Sequence, residues 1–402
     1  MPAPRRVDEN FVRRTIATLA AGGVSAAFLA AAAAGSTASS SSNPPNWAKK
    51  QIKTVVAHGL MGASSVKTFQ PNAALTLQTL ADLASGLEQE LSPPAAMPRG
   101  NANGGNGGGG GTTTTGTTDT TDTTDTTTTG TTTGGNSSSS ATMAKLDRKL
   151  VASLGLLPQA KQFRTAAINA GLKVPKRFGT EVVARLLGLR INHPESEDYL
   201  ELRPQDTATR AEAAYSAAQI LGFGYLADSW QIAEVKQLAA TISLPTLTTW
   251  QQQILHVAFS KIGMPYVWGG TSDGTEAPFG VEARGGYDCS GFVWRVYKLQ
   301  SYPGEGNLAS VIRGRTTYSM SVEVPRSKRI KFAKLQPADV IFFGANGPHS
   351  SGGEIIHTGI YVGDGWFIHS SDEGVALAQL TGWYRTEFAW GRRPLREAGL
   401  EH

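Results

Sequence analysis

A chain of 402 residues with 40% hydrophobic content is long enough for two or three domains with cores of their own. Its formal net charge of +5 is a mild basic excess that suits contact with an anionic surface but is too weak to argue for nucleic acid. The single cysteine, Cys289, excludes an internal disulfide and leaves three roles: a buried inert thiol, a bridge to another chain, or a reactive group.

In chain order, the first expected element is an export signal over residues 1–38. Arg5, Arg6, Arg13 and Arg14 precede an Ala-rich apolar run that ends in small residues, the pattern of a secretory signal. Residues 47–92 then show apolar positions at helical spacing, a Gly-Leu stop, a loop with Phe69 and Pro71, and a second helix from Thr76. Residues 93–142 are dominated by Gly, Thr and Ser; they carry too little apolar surface to form a core and are expected to be a disordered linker. Over 143–225 the helix–loop–helix order recurs twice. One copy runs through Ala170-Gly171-Leu172 and Phe178, and the other ends in Thr209-Arg210-Ala211-Glu212. Repeated units of this kind imply modules stacked on a shared core. These units resemble the S-layer homology module, with Thr209 to Glu212 as the most specific piece. That resemblance implies binding of a secondary cell-wall polysaccharide, with Arg210 and Glu212 as the wall-polymer contacts. Residues 226–249 are expected to be a connector, with a helix ended by Pro245.

From Trp250 the texture changes. "WQQQILHVAFSKIG" is an amphipathic helix, and after the turn "MPYVWGG" and a long loop, "YDCSGFVWRVYKL" reads as a helix beginning at or near Cys289. "DVIFFG", "EIIHTGIYVG" and "GWFIHSS" read as strands, the last two forming a hairpin through Gly363-Asp364-Gly365. Helices followed by strands predict an α+β domain over 250–395, preceded by a small helical repeat domain that the Gly/Thr linker interrupts.

The position of Cys289 suits thiol chemistry. A helix N-terminus places N–H groups and partial positive charge beside the sulfur and is expected to lower its pKa. A histidine elsewhere in the fold would accept the proton, and a further polar group would orient that histidine. His357 and His369 lie in the two strands of the hairpin. A two-residue loop alone would put them on opposite faces. A three-residue loop or a bulge would put His369 opposite Gly359, diagonal to His357 on one face. Zinc binding by Cys289, His357 and His369 is disfavoured because their spacing matches no compact zinc motif.

"PYVWGG", "YDCSGFV", "RTTYSM", "LQPADVIFF" and "HTGIYVGDGWFIHSS", in that order, resemble the NlpC/P60 family of papain-like cysteine peptidases of bacterial cell walls. The resemblance implies Cys289 as nucleophile, His357 as base and His369 as the orienting residue, with no cofactor and no metal. It implies that Tyr266 lies near the nucleophile and that Asp288 and Ser290 help line the substrate groove. Peptidoglycan stem peptides would be the substrate, cut between D-glutamate and a diamino acid by a secreted, wall-associated enzyme. The alternatives are a wall-binding structural protein on a relic fold, and an amidase or transferase on the same fold.

Overall fold

Three short lead-in segments, each ending in a threonine, organise the N-terminal half. The computed structural model describes residues 44–92 and 139–401, so the expected export signal and the linker up to residue 138 lie outside the described residues. Helices α1 (Lys49–Ala57) and α2 (Leu77–Glu90) precede that gap. Helices α3 (Met143–Ser153), α4 (Leu157–Asn169), α5 (Phe178–Leu186) and α6 (Arg210–Leu221) follow it. Thr76, Thr142 and Thr209 cap α2, α3 and α6, each side-chain oxygen accepting the N–H three residues on. Just before these caps, Leu75 N–H donates to Ala208 O, Ala208 N–H to Ala141 O, and Ala141 N–H to Leu75 O. This closed triangle of backbone bonds joins chain from both sides of the gap, and α2 packs against both α3 and α6. The repeats therefore form one body.

The triangle corrects the reading of the repeats. The middle lead-in is Ser140-Ala141-Thr142, at the end of the expected linker, and not the stretch around Phe178. Ser139 to Thr142 belong to the helical body.

Both residues expected to hold wall polymer are taken up internally. Arg210 donates from Nε to Phe69 O at 2.7 Å and from Nη2 to Met61 O at 3.0 Å, and its guanidinium lies over the Phe69 ring. It thus fastens the loop of the first module to α6. Glu212 is buried, with Oε1 3.6 Å from His193 Nε2. Glu212 is thus withdrawn from solvent, whereas Arg210 remains half-exposed with two of its donors engaged.

Helix α7 (Trp230–Thr241) packs against α4, and α8 (Thr249–Ser260) starts from a capping box of Thr248 and Gln251. Strands β1 (Thr271–Ser272) and β2 (Gly286–Tyr287) pair at the base of the long loop. Helices α9 (Cys289–Trp294), α10 (Leu308–Val311) and α11 (Thr317–Val322) lead to an antiparallel sheet. Its strands are β3 (Val340–Gly344), β4 (Ile355–Gly363), β5 (Trp366–Ser371), β6 (Gly374–Gln379) and β7 (Phe388–Arg392), in the order β6-β5-β4-β3-β7. Helices α12 (Gly382–Thr386) and α13 (Pro394–Glu397) flank β7. The C-terminal domain is α+β, as its sequence predicts, and α9 lies against β4 and β5.

One apolar core runs from Ala48 to Leu395 through both halves. Across the join, Phe178 stacks on Phe259 with centroids 5.1 Å apart, and Phe163 meets Trp366 edge-on at 6.0 Å. The polar contacts are mostly to backbone. Arg177 donates to Ser260 O and Ile262 O, Arg185 to Gly263 O and Glu373 O, and Arg203 to Asp273 O. Gly263 has φ +85°, and a Cβ there would lie 2.3 Å from Glu181 Oε2, so only glycine fits.

Buried carboxylates under this join make stability pH-dependent. Burial, with the charge of Asp147 adding to it, raises Glu181 to about 7; burial also raises Glu212 to about 7 and Asp198 to about 7. A folded pKa above the unfolded value favours the protonated, folded form. The contribution is complete below about pH 4 and is lost as pH rises through about 7. Asp206, held low by Arg203 against its burial, and Asp273, held low by Lys261 and Tyr287 against its burial, act at lower pH. His357 and His369, both lowered by burial, oppose this loss below about pH 6.5, so the melting temperature should fall between about pH 6.5 and pH 8 in scanning calorimetry, and Glu212→Gln should flatten the slope.

The backbone triangle generates a second expectation. With a protease site introduced between residues 111 and 118, the cut chain should elute from gel filtration as one species retaining residues 44–92. Release of that fragment would show that the triangle does not hold the body together.

Candidate active site

Asp288 is the hub of the site. It caps α9: Oδ1 accepts from Gly291 N–H and from Ser290 Oγ, and Oδ2 accepts from Gly269 N–H at 3.0 Å. Arg315 closes the arrangement. Its Nη1 donates to Asp288 Oδ1 and Ser290 Oγ, and its Nη2 to Asp288 Oδ2 and Gly269 O. A Cβ on Gly291 would lie 1.9 Å from Gly270 O, so glycine is required where α9 meets the turn before the long loop. Expected to line the groove, Asp288 and Ser290 instead spend their polar atoms inside the protein and set the position of Cys289.

Cys289 is half-buried at the first position of α9, with Sγ 3.4 Å from Thr317 Oγ1 on α11. Tyr266 is near enough to feel the charges of Cys289 and Asp288. Burial, then the charges of Cys289 and Asp288, push the Tyr266 hydroxyl well above its ordinary value, so it remains a protonated donor. The helix N-terminus does not win at the thiol. Burial and then the Asp288 carboxylate raise Cys289 to about 11, while Thr317, the Ser290 N–H and Arg315 oppose the rise. The expected depression of the thiol pKa is thus overturned by desolvation and one capping carboxylate.

The hairpin supplies the histidines. Ile360 pairs with Ile368 and Tyr361 with Phe367, but Gly363 pairs with Trp366, so Val362 is an extra residue in β4. Asp364 (φ 48°) and Gly365 (φ 80°) form a two-residue turn with both φ positive. The bulge, not a longer loop, brings His369 opposite Gly359. His357 Nε2 then lies 2.9 Å from His369 Nδ1. Both rings are buried, beside Phe343, Phe367 and Tyr384. Burial lowers His357 to about 3, and burial together with the charge of His357 holds His369 well below its ordinary value. Both imidazoles are neutral at neutral pH, so one nitrogen of the pair donates and the other accepts.

Cys289 and Thr317 therefore stand together at the start of α9, within electrostatic reach of Tyr266, and His357 and His369 are bonded on the two strands against which α9 packs. Arg315 and Thr317 were not singled out in the sequence. Both lie in "RTTYSM", where an arginine two positions before a threonine at a helix start was the available signal.

A thiol raised to about 11 is protonated at neutral pH. Its alkylation by iodoacetamide should therefore accelerate about tenfold per pH unit from pH 7 to 10, following the thiolate fraction. A plateau already reached near pH 7 would mean a preformed thiolate.

Residues 263–393 match the family model described as NlpC/P60 family, and residues 40–81 match that of the S-layer homology domain. The second match falls on the first module, not on the one ending in Glu212. The probable endopeptidase p60 of Listeria grayi is 30% identical over 34% of this chain and 21% of its own length. The murein DD-endopeptidase MepH of Escherichia coli is 33% identical over 31% of this chain and 38% of its own. A crystal structure of an NlpC/P60 family protein from Bacillus cereus aligns with 27% identity and a TM-score of 0.28, covering 38% of this chain and 42% of that one. The chain thus spans well under half the length of these curated relatives. Residues 263–393 are thus similar to the NlpC/P60 family, and residues 40–81 to the S-layer homology domain.

Proposed function

We propose that the protein is an exported, wall-targeted cysteine endopeptidase that hydrolyses peptidoglycan stem peptides. The observation that carries this reading is the buried 2.9 Å bond between His357 Nε2 and His369 Nδ1, on strands packed against the helix that begins with Cys289.

The reading requires one tautomer of the neutral pair, with His357 donating from Nε2–H to His369 Nδ1, so that its Nδ1 is the atom that takes the thiol proton. Cys289 Sγ attacks the scissile carbonyl as His357 takes its proton. The tetrahedral intermediate collapses to a thioester as His357 protonates the departing amine. Water, deprotonated by His357, then hydrolyses the thioester and frees the thiol. Because thiol and imidazole are both neutral at rest, proton transfer accompanies attack rather than preceding it. Tyr266, kept protonated and within electrostatic reach of the sulfur, would supply a hydroxyl donor to the site.

The helical body would direct the enzyme to wall polysaccharide. With Glu212 buried and Arg210 half-exposed but holding the loop of the first module, that contact would draw on further residues of the body. The substrate bond is assigned between D-glutamate and the diamino acid, in keeping with the name of one relative, a gamma-D-glutamyl-L-lysine dipeptidyl-peptidase of Bacillus subtilis, 27% identical over 130 residues. The relative from Escherichia coli is named a DD-endopeptidase, so the bond is the quantity to measure.

Mass spectrometry of muropeptides after incubation with purified peptidoglycan tests the reading. The wild type should release fragments ending in D-glutamate. Cys289→Ala and His357→Ala should each lose about 10²–10⁴-fold or more in rate. His369→Ala should be milder, and His369→Gln, which restores an acceptor, milder still. Turnover retained by Cys289→Ala would refute the nucleophile assignment, and fragments cut at a D–D bond would refute the bond.

A further inference from the structure

A groove of about 590 Å³ runs beside β7 in the C-terminal domain, and no Asp or Glu lines it among the described residues. One wall is the segment "RSKRIKFAK" at 326–334, with five cationic residues in nine and no acidic one. The segment is fixed in place. Ile330 exchanges two backbone hydrogen bonds with Gly391, and Arg393 Nη2 donates to Lys334 O at 2.9 Å.

The cations in the groove are held open. Arg329 lies over Trp390 with Cζ 3.5 Å from the ring centroid, and Arg385 lies over Phe332 at 3.8 Å. Stacking restricts each guanidinium; Arg329 Nε reaches Val324 O at 3.5 Å, which leaves the two Nη groups of Arg329 and the fork of Arg385 for pairing. Arg326, Arg329, Lys331 and Arg385 form no salt bridge among the described residues. The carboxylates nearby are committed elsewhere. Glu323 binds Arg392 and the N–H groups of Arg313 and Gly314, and Glu354 caps its own turn. Glu387 is raised by burial, towards its neutral form.

We propose that this groove is a second binding site, which takes a linear polymer of repeating phosphodiester groups, the chemistry of a polyol-phosphate wall polymer. Several unneutralised cations along one fixed wall match spaced anionic charges better than a single small anion. Single-stranded nucleic acid is disfavoured because its binders offer open aromatic faces for the bases. Here the Trp390 and Phe332 faces are already occupied by guanidinium groups. A polyol-phosphate chain needs no such face. The site does not depend on the peptidase reading.

Titration calorimetry of the full chain at low salt tests this with three probes of matched charge: poly(glycerol phosphate), polygalacturonate and oligodeoxythymidine. Poly(glycerol phosphate) should bind tightest, and its affinity should fall as salt rises. The Arg329→Ala/Arg385→Ala variant should bind it about tenfold more weakly or worse, and the double lysine variant should fall between, because charge remains and the planar fork is lost. Lys331→Glu, at an exposed position, should weaken binding without touching the stacked pairs. Unchanged melting temperature and unchanged alkylation of Cys289 show that the variants are folded. The proposal is overturned if the alanine and Lys331→Glu variants bind like wild type, or if polygalacturonate or oligodeoxythymidine binds as tightly as poly(glycerol phosphate).

Discussion

One extra residue in β4, Val362, decides which face of the sheet receives the two imidazoles. Side chains alternate along a strand, so a one-residue shift in pairing moves every partner to the other side. The tight turn at Asp364-Gly365 by itself sets a register that separates the histidines, and the bulge resets it one residue later. Gly363, at φ 112°, absorbs the backbone distortion, and a Cβ there would run into Pro245 of the connector at 2.3 Å. Ser243 Oγ donates to Asp364 Oδ2 at 2.8 Å. The turn that sets the histidine register is thus braced by chain that joins it to the helical body.

The electrostatics of the site are governed by exclusion from water. A helix N-terminus favours an anionic sulfur, but the carboxylate of Asp288 that caps α9 acts in the opposite sense. Arg315 neutralises part of that carboxylate and holds it in place, so the thiol gains position at the expense of acidity. The aromatic surround of Phe343, Phe367 and Tyr384 does the same for the histidines, keeping them neutral and correctly bonded.

Local patterns carried much of this in the sequence. The helix start at Cys289, the three strands and the conditional placement of His369 all follow from turn residues and two-residue alternation. What they could not carry was the destination of long side chains. Arg210 reads as a solvent-facing cation because nothing local shows Met61 O and Phe69 O arriving from another module. The middle repeat was hidden for a related reason. Its signature is one threonine cap and one backbone bond on each side, and small residues such as Ser140 and Ala141 blend into a Ser-rich stretch. Thr317 and Arg315 become meaningful only once α11 lies beside α9.

The arginines at the join between the two halves grip carbonyl oxygens: those of Ser260, Ile262, Gly263, Glu373 and Asp273. Every amino acid supplies a carbonyl, so the catalytic side of this contact places little demand on side-chain identity, apart from the glycine at 263. The helical side has no such freedom, because Arg177, Arg185 and Arg203 each provide donors that no other residue type can place in the same fork. Sequence drift among the polar contacts is therefore one-sided. A lineage could replace the residues whose carbonyls are gripped and keep these polar contacts, provided that Phe259 and Trp366 still fill the apolar part of the join, whereas a single change among the three arginines would loosen it.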